Sequence, residues 1–255
     1  MSLIAASTTA AVPIRLNTFA WGHPGGPSVL LVHGVQSSAG AWWQIADRLA
    51  RRGLAVTAPD LRGHGLSPSG QSYRLIDFVE DLVALAGKWS VVVGHSLGGT
   101  VIAQALADDH WPACPAVLLD PVLELPEVGF DAIVEGQLAE LATADAAALQ
   151  RANPGWHPED CRQKALAAAN CSPYVNEAVL RDSRPWDYAG LLARAASPVL
   201  VLGADEDAGG MLDPGLGRRV AASNPRVTYR RIDGAGHSLH RDRPPLVVEA
   251  VLEVV

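Results

Sequence analysis

Six stretches of the chain read as strands, Val29–His33, Ala55–Pro59, Val91–Gly94, Val117–Asp120, Val199–Gly203 and Val227–Ile232, all but the last almost continuously apolar. Short apolar runs without alternation predict strands buried on both faces, as in a parallel sheet. Ile14–Phe19 alternates better and predicts an edge strand. Between these runs the apolar spacing turns helical, at Trp42–Arg52, Leu75–Gly87 and Gly99–Asp109. Asp213-Pro214 reads as an N-cap followed by proline in the first turn, opening a helix towards Ser223. A last helix starts near Pro244 or Pro245. Strand and helix in alternation predict an α/β fold, a mostly parallel sheet flanked by helices.

The alternation breaks once. Residues 121–198 hold helical patterns at Phe130–Thr143, Asp160–Ala169, Asn176–Arg181 and Tyr188–Ala195, and no convincing strand. A crossover between parallel strands needs one helix. The surplus predicts an inserted helical lid, residues 122–196, set into a core made of residues 1–121 and 197–255.

Composition removes several function classes. The chain has 255 residues and a formal net charge of −7, which gives no electrostatic basis for binding nucleic acid. No apolar run reaches the ~18 residues of a membrane span. The first residues lack the basic start of a secretory signal. Three cysteines, Cys114, Cys161 and Cys171, fit no zinc spacing and read as reduced thiols of a cytoplasmic protein. No basic cluster suggests a phosphorylated or polyanionic substrate.

The chemistry starts at Gly94-His95-Ser96-Leu97-Gly98, a G-x-S-x-G string between a predicted strand and a predicted helix. Such a turn holds serine in a strained conformation, and side chains two residues either way would strike the strand or helix beside it. The helix N-terminus adds positive potential at the hydroxyl. A serine hydroxyl needs a base, and the base needs an orienting acid. In this architecture the chain order is serine, acid, histidine. Two carboxylate loops follow Ser96: one at Asp120, one at Asp205-Glu206-Asp207. Beyond the second loop lie His237 and His240. His237, in a glycine-rich turn after Val227–Ile232, is the candidate base, and His240 reads as a packing residue. An oxyanion needs two fixed donors. The backbone N–H groups of Leu97 and of Val35, after the His33-Gly34 turn, are the candidates. His33 reads as a residue that shapes this loop.

Together the segments VLLVHGVQSSAGAWWQIADRL, VTAPDLRGHGLS, VVVGHSLGG, SPVLVLGADEDAGG and IDGAGHSLHRDRP resemble the α/β-hydrolase superfamily, in its lidded, serine-nucleophile branch. The resemblance implies an eight-stranded, mostly parallel sheet with a small helical cap, no cofactor and no metal. It implies Ser96 as nucleophile, His237 as base, and Asp205 as acid in preference to Asp207 or Asp120. Asp60 and Arg62 are then structural, as a turn residue and an ion-pair partner.

The expected reaction is hydrolysis of a small or medium carboxylic ester or lactone through an acyl-enzyme. The alternatives are a serine-dependent carbon–carbon bond hydrolase and a non-catalytic hydrolase-like ligand receptor. Trp42 is the expected substrate contact, being close in sequence to Val35. Trp43, Trp156, Tyr174, Trp186 and Tyr188 are further candidates for lining the pocket.

Overall fold

A computed structural model describes residues 12–85, 87–111 and 114–255. Seven strands form one sheet: β1 (Thr18–Trp21), β2 (Ser28–Val32), β3 (Ala55–Pro59), β4 (Val91–His95), β5 (Ala116–Leu119), β6 (Val199–Ala204) and β7 (Val227–Ile232). Their spatial order is β1-β3-β2-β4-β5-β6-β7, with only β1 antiparallel to its neighbour. The eighth strand implied by the family resemblance is not among the described residues.

The helices of the core are α1 (Trp43–Ala50), α2 (Leu75–Val83) and α3 (Leu97–Ala107). Four follow β5: α4 (Phe130–Thr143), α5 (Ala146–Ala152), α6 (Pro158–Ala169) and α7 (Pro173–Arg181). The last three are α8 (Pro214–Ser223), α9 (Leu239–Asp242) and α10 (Pro244–Leu252). The α8 boundary follows its sequence signals: the Asp213 side chain caps the Leu216 N–H, and Pro214 occupies the first turn. The pattern missed α5, a short helix without a buried residue. Among the described residues no helix is long and apolar enough to cross a membrane.

Strand residues divide between two cores by the two-residue period of the sheet. Leu30, Val32, Val92, Leu118 and Val201 face one side, with Phe78 of α2, Val101 of α3 and Val220 of α8. Val29, Leu31, Val93, Val117 and Leu202 face the other, with Ile45 of α1 and Val251 of α10. Val134, Val175 and Val179, from the helices after β5, join the first core. These helices are therefore packed on the body of the fold.

The parallel register fixes what meets at the carboxyl edge. His95 of β4 pairs with Leu119 of β5, and Leu119 with Leu202 of β6. Ser96 and Asp120, each the next residue, leave adjacent strands side by side, and the Ser96 N–H donates to the Leu119 carbonyl at 3.0 Å.

Candidate active site

Ser96 sits between β4 and α3 with φ 54° and ψ −122°, a conformation costly for a residue with a side chain. Its surroundings leave no relief. A Cβ on Gly94 would lie 2.5 Å from the Gly98 carbonyl oxygen, and one on Gly98 would lie 2.4 Å from that of Val32. Both glycines of the G-x-S-x-G string are thus required by close backbone approach.

Ser96 and His237 line one cavity of about 280 Å³. His237 Nδ1 donates to Asp120 Oδ2 at 2.6 Å. Asp120 also accepts from the backbone N–H groups of Met211 (2.7 Å to Oδ2), Ala204 (3.0 Å to Oδ1) and Leu212 (3.2 Å to Oδ1). Burial alone would raise the pKa of this carboxyl. The His237 hydrogen bond and charge, with the Met211 and Ala204 amides, outweigh burial and hold it below the ordinary carboxylate value. His95 Nε2 donates to the His237 carbonyl at 2.9 Å, which fixes the backbone that carries the imidazole.

The expectation that Asp205 would meet His237 is corrected by this geometry. Asp205 caps the short turn Glu206–Ala208, accepting from the Asp207 N–H at 3.1 Å. It also accepts from the Gly234 N–H at 2.8 Å and from Arg231 Nη2 at 2.6 Å. Asp207 is exposed. The physical reason is the strand order. β5 lies between β4 and β6, so Asp120 leaves the sheet one strand from Ser96, whereas Asp205 leaves it two strands away. The loop after β6 contributes backbone amides that hold Asp120 in place of a carboxylate for His237.

Val35 and Leu97 line the same cavity. Leu97 opens α3, so its N–H has no acceptor within the helix. Beside Val35 the chain turns at Gln36, with φ 54°, and Gln36 Nε2 donates to the Gln137 carbonyl (2.6 Å) of α4 and Asn176 Oδ1 (3.1 Å) of α7. Beneath this loop His33 Nδ1 donates to the Gly34 carbonyl at 2.7 Å, and His33 Nε2 accepts from the Leu61 N–H at 3.0 Å. Asp60 accepts from the Ala39 and Leu66 N–H groups at 2.7 and 3.0 Å. Arg62 makes a fully buried pair with Asp81, Nε and Nη2 each 2.7 Å from one carboxylate oxygen.

Trp42, expected to touch substrate, does not line the cavity. It is fully buried in the second core and packs on His240, ring centroids 4.9 Å apart. Proximity in sequence to Val35 misled, because the turn Ala39–Trp42 delivers the indole to the second core. Of the other aromatic candidates, Trp156 and Trp186 line the cavity, while Tyr174 is exposed on α7.

The cavity wall also holds Lys164 of α6 and Arg241 of α9, which sequence reading had not singled out. They are far apart in the chain, and neither stands in a basic run. Only the fold gathers them.

Known proteins share the chain's pattern. A lipase, LipV, of Mycobacterium tuberculosis is 34% identical over 145 residues, 54% of this chain and 54% of the lipase, so the match spans about half the length of that relative. The magnesium-chelatase 30 kDa subunit of Rhodobacter capsulatus is 29% identical over 258 residues, 91% of this chain and 89% of that protein. Among solved structures, the enol-lactonase from Burkholderia xenovorans LB400 superposes with a TM-score of 0.76 at 17% identity, over 94% of this chain and 95% of that one. The sequence model of the alpha/beta hydrolase family matches residues 29–250, and with the strained serine turn and sheet order described above the chain belongs to that family.

Proposed function

We propose that the protein is a serine hydrolase that cleaves a small or medium carboxylic ester or lactone through an acyl-enzyme, with Ser96, His237 and Asp120 as its triad. The observation that carries this reading is a strained serine sharing a cavity with an imidazole whose Nδ1 is bonded to a buried carboxylate.

In this mechanism the substrate carbonyl enters with its oxygen towards the Val35 and Leu97 amides. Ser96 Oγ attacks as His237 Nε2 takes its proton, and the amides meet the developing oxyanion. Asp120 keeps the proton on Nδ1 in the resting state and stabilises the imidazolium once it forms. The amides of Met211, Ala204 and Leu212 keep Asp120 ionised, so the proton from serine stays on the imidazole. His237 then protonates the departing alcohol, accepts a proton from water, and that water releases the acid from Ser96. For a lactone, alcohol and acid leave as one opened chain. Apolar bulk is accommodated by Val122, Leu125, Ile133 and Trp186. The lipase and enol-lactonase likenesses support an acyl substrate.

Fluorophosphonate labelling with peptide mapping tests the reading. The expected result is one adduct, on the peptide carrying Ser96. Absence of an adduct on a folded sample would overturn it.

A further inference from the structure

Two cations, Arg241 and the largely buried Lys164, line the same cavity as Ser96, with Glu140 beside Lys164. Arg241 is 5% exposed. Its Nη1 donates to Ser238 Oγ at 3.1 Å, but its Nε and Nη2 are buried with no acceptor in the protein. The Lys164 side chain is 12% exposed and pairs with Glu140 at 3.0 Å, whose own side chain is half exposed. Among the described residues Arg241 has no ion-pair partner within 4.0 Å. A desolvated guanidinium with free N–H groups is costly unless something completes it.

The same molecule shows what fits that edge of an arginine. In Arg62 the Nε–Nη2 edge is filled by both oxygens of Asp81. In Arg241 the same edge has no acceptor and is closed off within the fold, so what the cavity wall offers there is an uncompensated positive charge. Two parallel N–H groups match the two oxygens of a carboxylate. The nearby acids do not supply one. Asp242 is engaged, accepting from Trp156 Nε1 at 2.6 Å and from the Gly236 N–H at 2.8 Å. Asp160 accepts from Trp43 Nε1 at 2.8 Å and keeps its other oxygen unpartnered, outside ion-pair distance of Arg241. Trp156, over which the Arg241 guanidinium stacks at 5.0 Å, holds its plane in the cavity wall.

We infer that the natural substrate carries a free carboxylate besides its scissile ester or lactone, and that Arg241, assisted by Lys164, receives it. The assignment rests on the serine-hydrolase reading above and names its substrate class: monoesters of dicarboxylic acids, or lactones bearing an acid group. One cation comes from the insert and the other from the helix after His237, so an acidic substrate would tie the insert to the catalytic edge as it binds.

The test compares two esters of matched length, para-nitrophenyl pentanoate and mono-para-nitrophenyl glutarate, on the full chain. The expected kcat/KM ratio favours the glutarate by ~10-fold or more, and Arg241→Gln and Lys164→Met each lower that ratio by ~10-fold or more, from loss of a charge-assisted pair. Free glutarate should slow fluorophosphonate labelling of the unaltered protein at concentrations where pentanoate does not, a readout that needs no variant to fold. Equal or lower activity on the glutarate, with Ser96 labelled and pentanoate cleaved, overturns the carboxylate assignment and leaves the hydrolase reading standing. So does an unchanged ratio in Arg241→Gln with both rates reduced alike, as a purely structural contact with Asp160 would produce. No labelling and no cleavage of either ester overturns both.

Discussion

His237 Nδ1 and Asp120 Oδ2 lie 2.6 Å apart, bridging the turn after β7 and the end of β5. Asp205, on the loop between those positions in sequence, is turned instead towards Arg231 and the Gly234 amide. This contrast separates two carboxylates that the bare sequence leaves equivalent.

Asn substitutions at the two positions should therefore diverge. Asp120→Asn should lower kcat on activated esters by ~10³–10⁴-fold, because the imidazole loses its orienting charge and favoured tautomer. Asp205→Asn should leave kcat within ~3-fold and act mainly on stability, since it weakens a partly exposed ion pair and a turn cap. Steady-state kinetics on both variants, with melting curves alongside, decide the matter. The reverse pattern would restore Asp205 as the acid.

Removing the Ser96 hydroxyl should abolish ester turnover, by ~10⁶-fold if Ser96 is the nucleophile. The Ser96→Ala chain should keep its far-ultraviolet circular dichroism and its melting temperature to within a few degrees. Residual activity near the unaltered level would remove the central claim.

Four buried histidines set an acid limit on stability. His33, His64, His95 and His240 all have pKa values lowered chiefly by burial, His64 to about 3. Unfolded, each takes up a proton near the ordinary 6.5. Above about pH 7 both states are neutral at these positions and the four contribute no pH dependence. As pH falls below that value the unfolded chain binds protons that the folded one refuses, and each histidine removes up to ~1.4 kcal/mol per pH unit. Asp120 acts lower down. Its lowered pKa gives stability that is present above the ordinary carboxylate value and is lost as pH falls towards the folded one. Urea midpoints at about pH 7.5, 6.5 and 5.5 should fall, most steeply over the last step. A flat profile would show that the histidines find protons, or partners, inside the fold.

The Ser96 turn tolerates no side chain at its second glycine. Gly98→Ala puts a methyl 2.4 and 2.6 Å from the carbonyl oxygens of Val32 and His33, both backbone atoms that cannot swing away. The expected cost is about 3 kcal/mol, at the upper end for overpacked sites. Activity should fall with it, because the displaced backbone belongs to the Val35 loop. Gly136→Ala, where nothing lies within 4 Å, serves as the control.

The strands were legible because the period of apolar positions states which faces are buried. Ala55–Pro59 ends where the pattern ends, whereas the edge strand expected at Ile14–Phe19 is formed by Thr18–Trp21, and Val227–Ile232, at the other sheet edge, is half exposed. The Ser96 turn was legible because its glycines answer to local backbone contacts. The choice of acid was not, since Asp120 and Asp205 both follow apolar strands. Only the lateral order of β4, β5 and β6 tells them apart. Lys164 and Arg241 were invisible for a related reason: a charge cluster assembled from α6 and α9 leaves no run in the sequence. Trp42 erred in the opposite sense, since closeness along the chain implied a contact that the turn Ala39–Trp42 directs elsewhere.

The residues just past Asp120 are stitched to α3 and to the stretch that leads from α7 into β6. The Val122 carbonyl accepts from Thr100 Oγ1 and Trp186 Nε1, at 2.8 and 2.6 Å, and the Leu123 carbonyl accepts from the Tyr188 N–H at 2.7 Å. A chimera that exchanges caps between relatives by cutting at the sheet margin would sever this clasp and unseat the carboxylate beside it. Crossover points placed inside the clasp, after Leu125 and before Trp186, keep its bonds while exchanging Ile133, Leu149, Trp156, Lys164 and Val179 of the cavity wall.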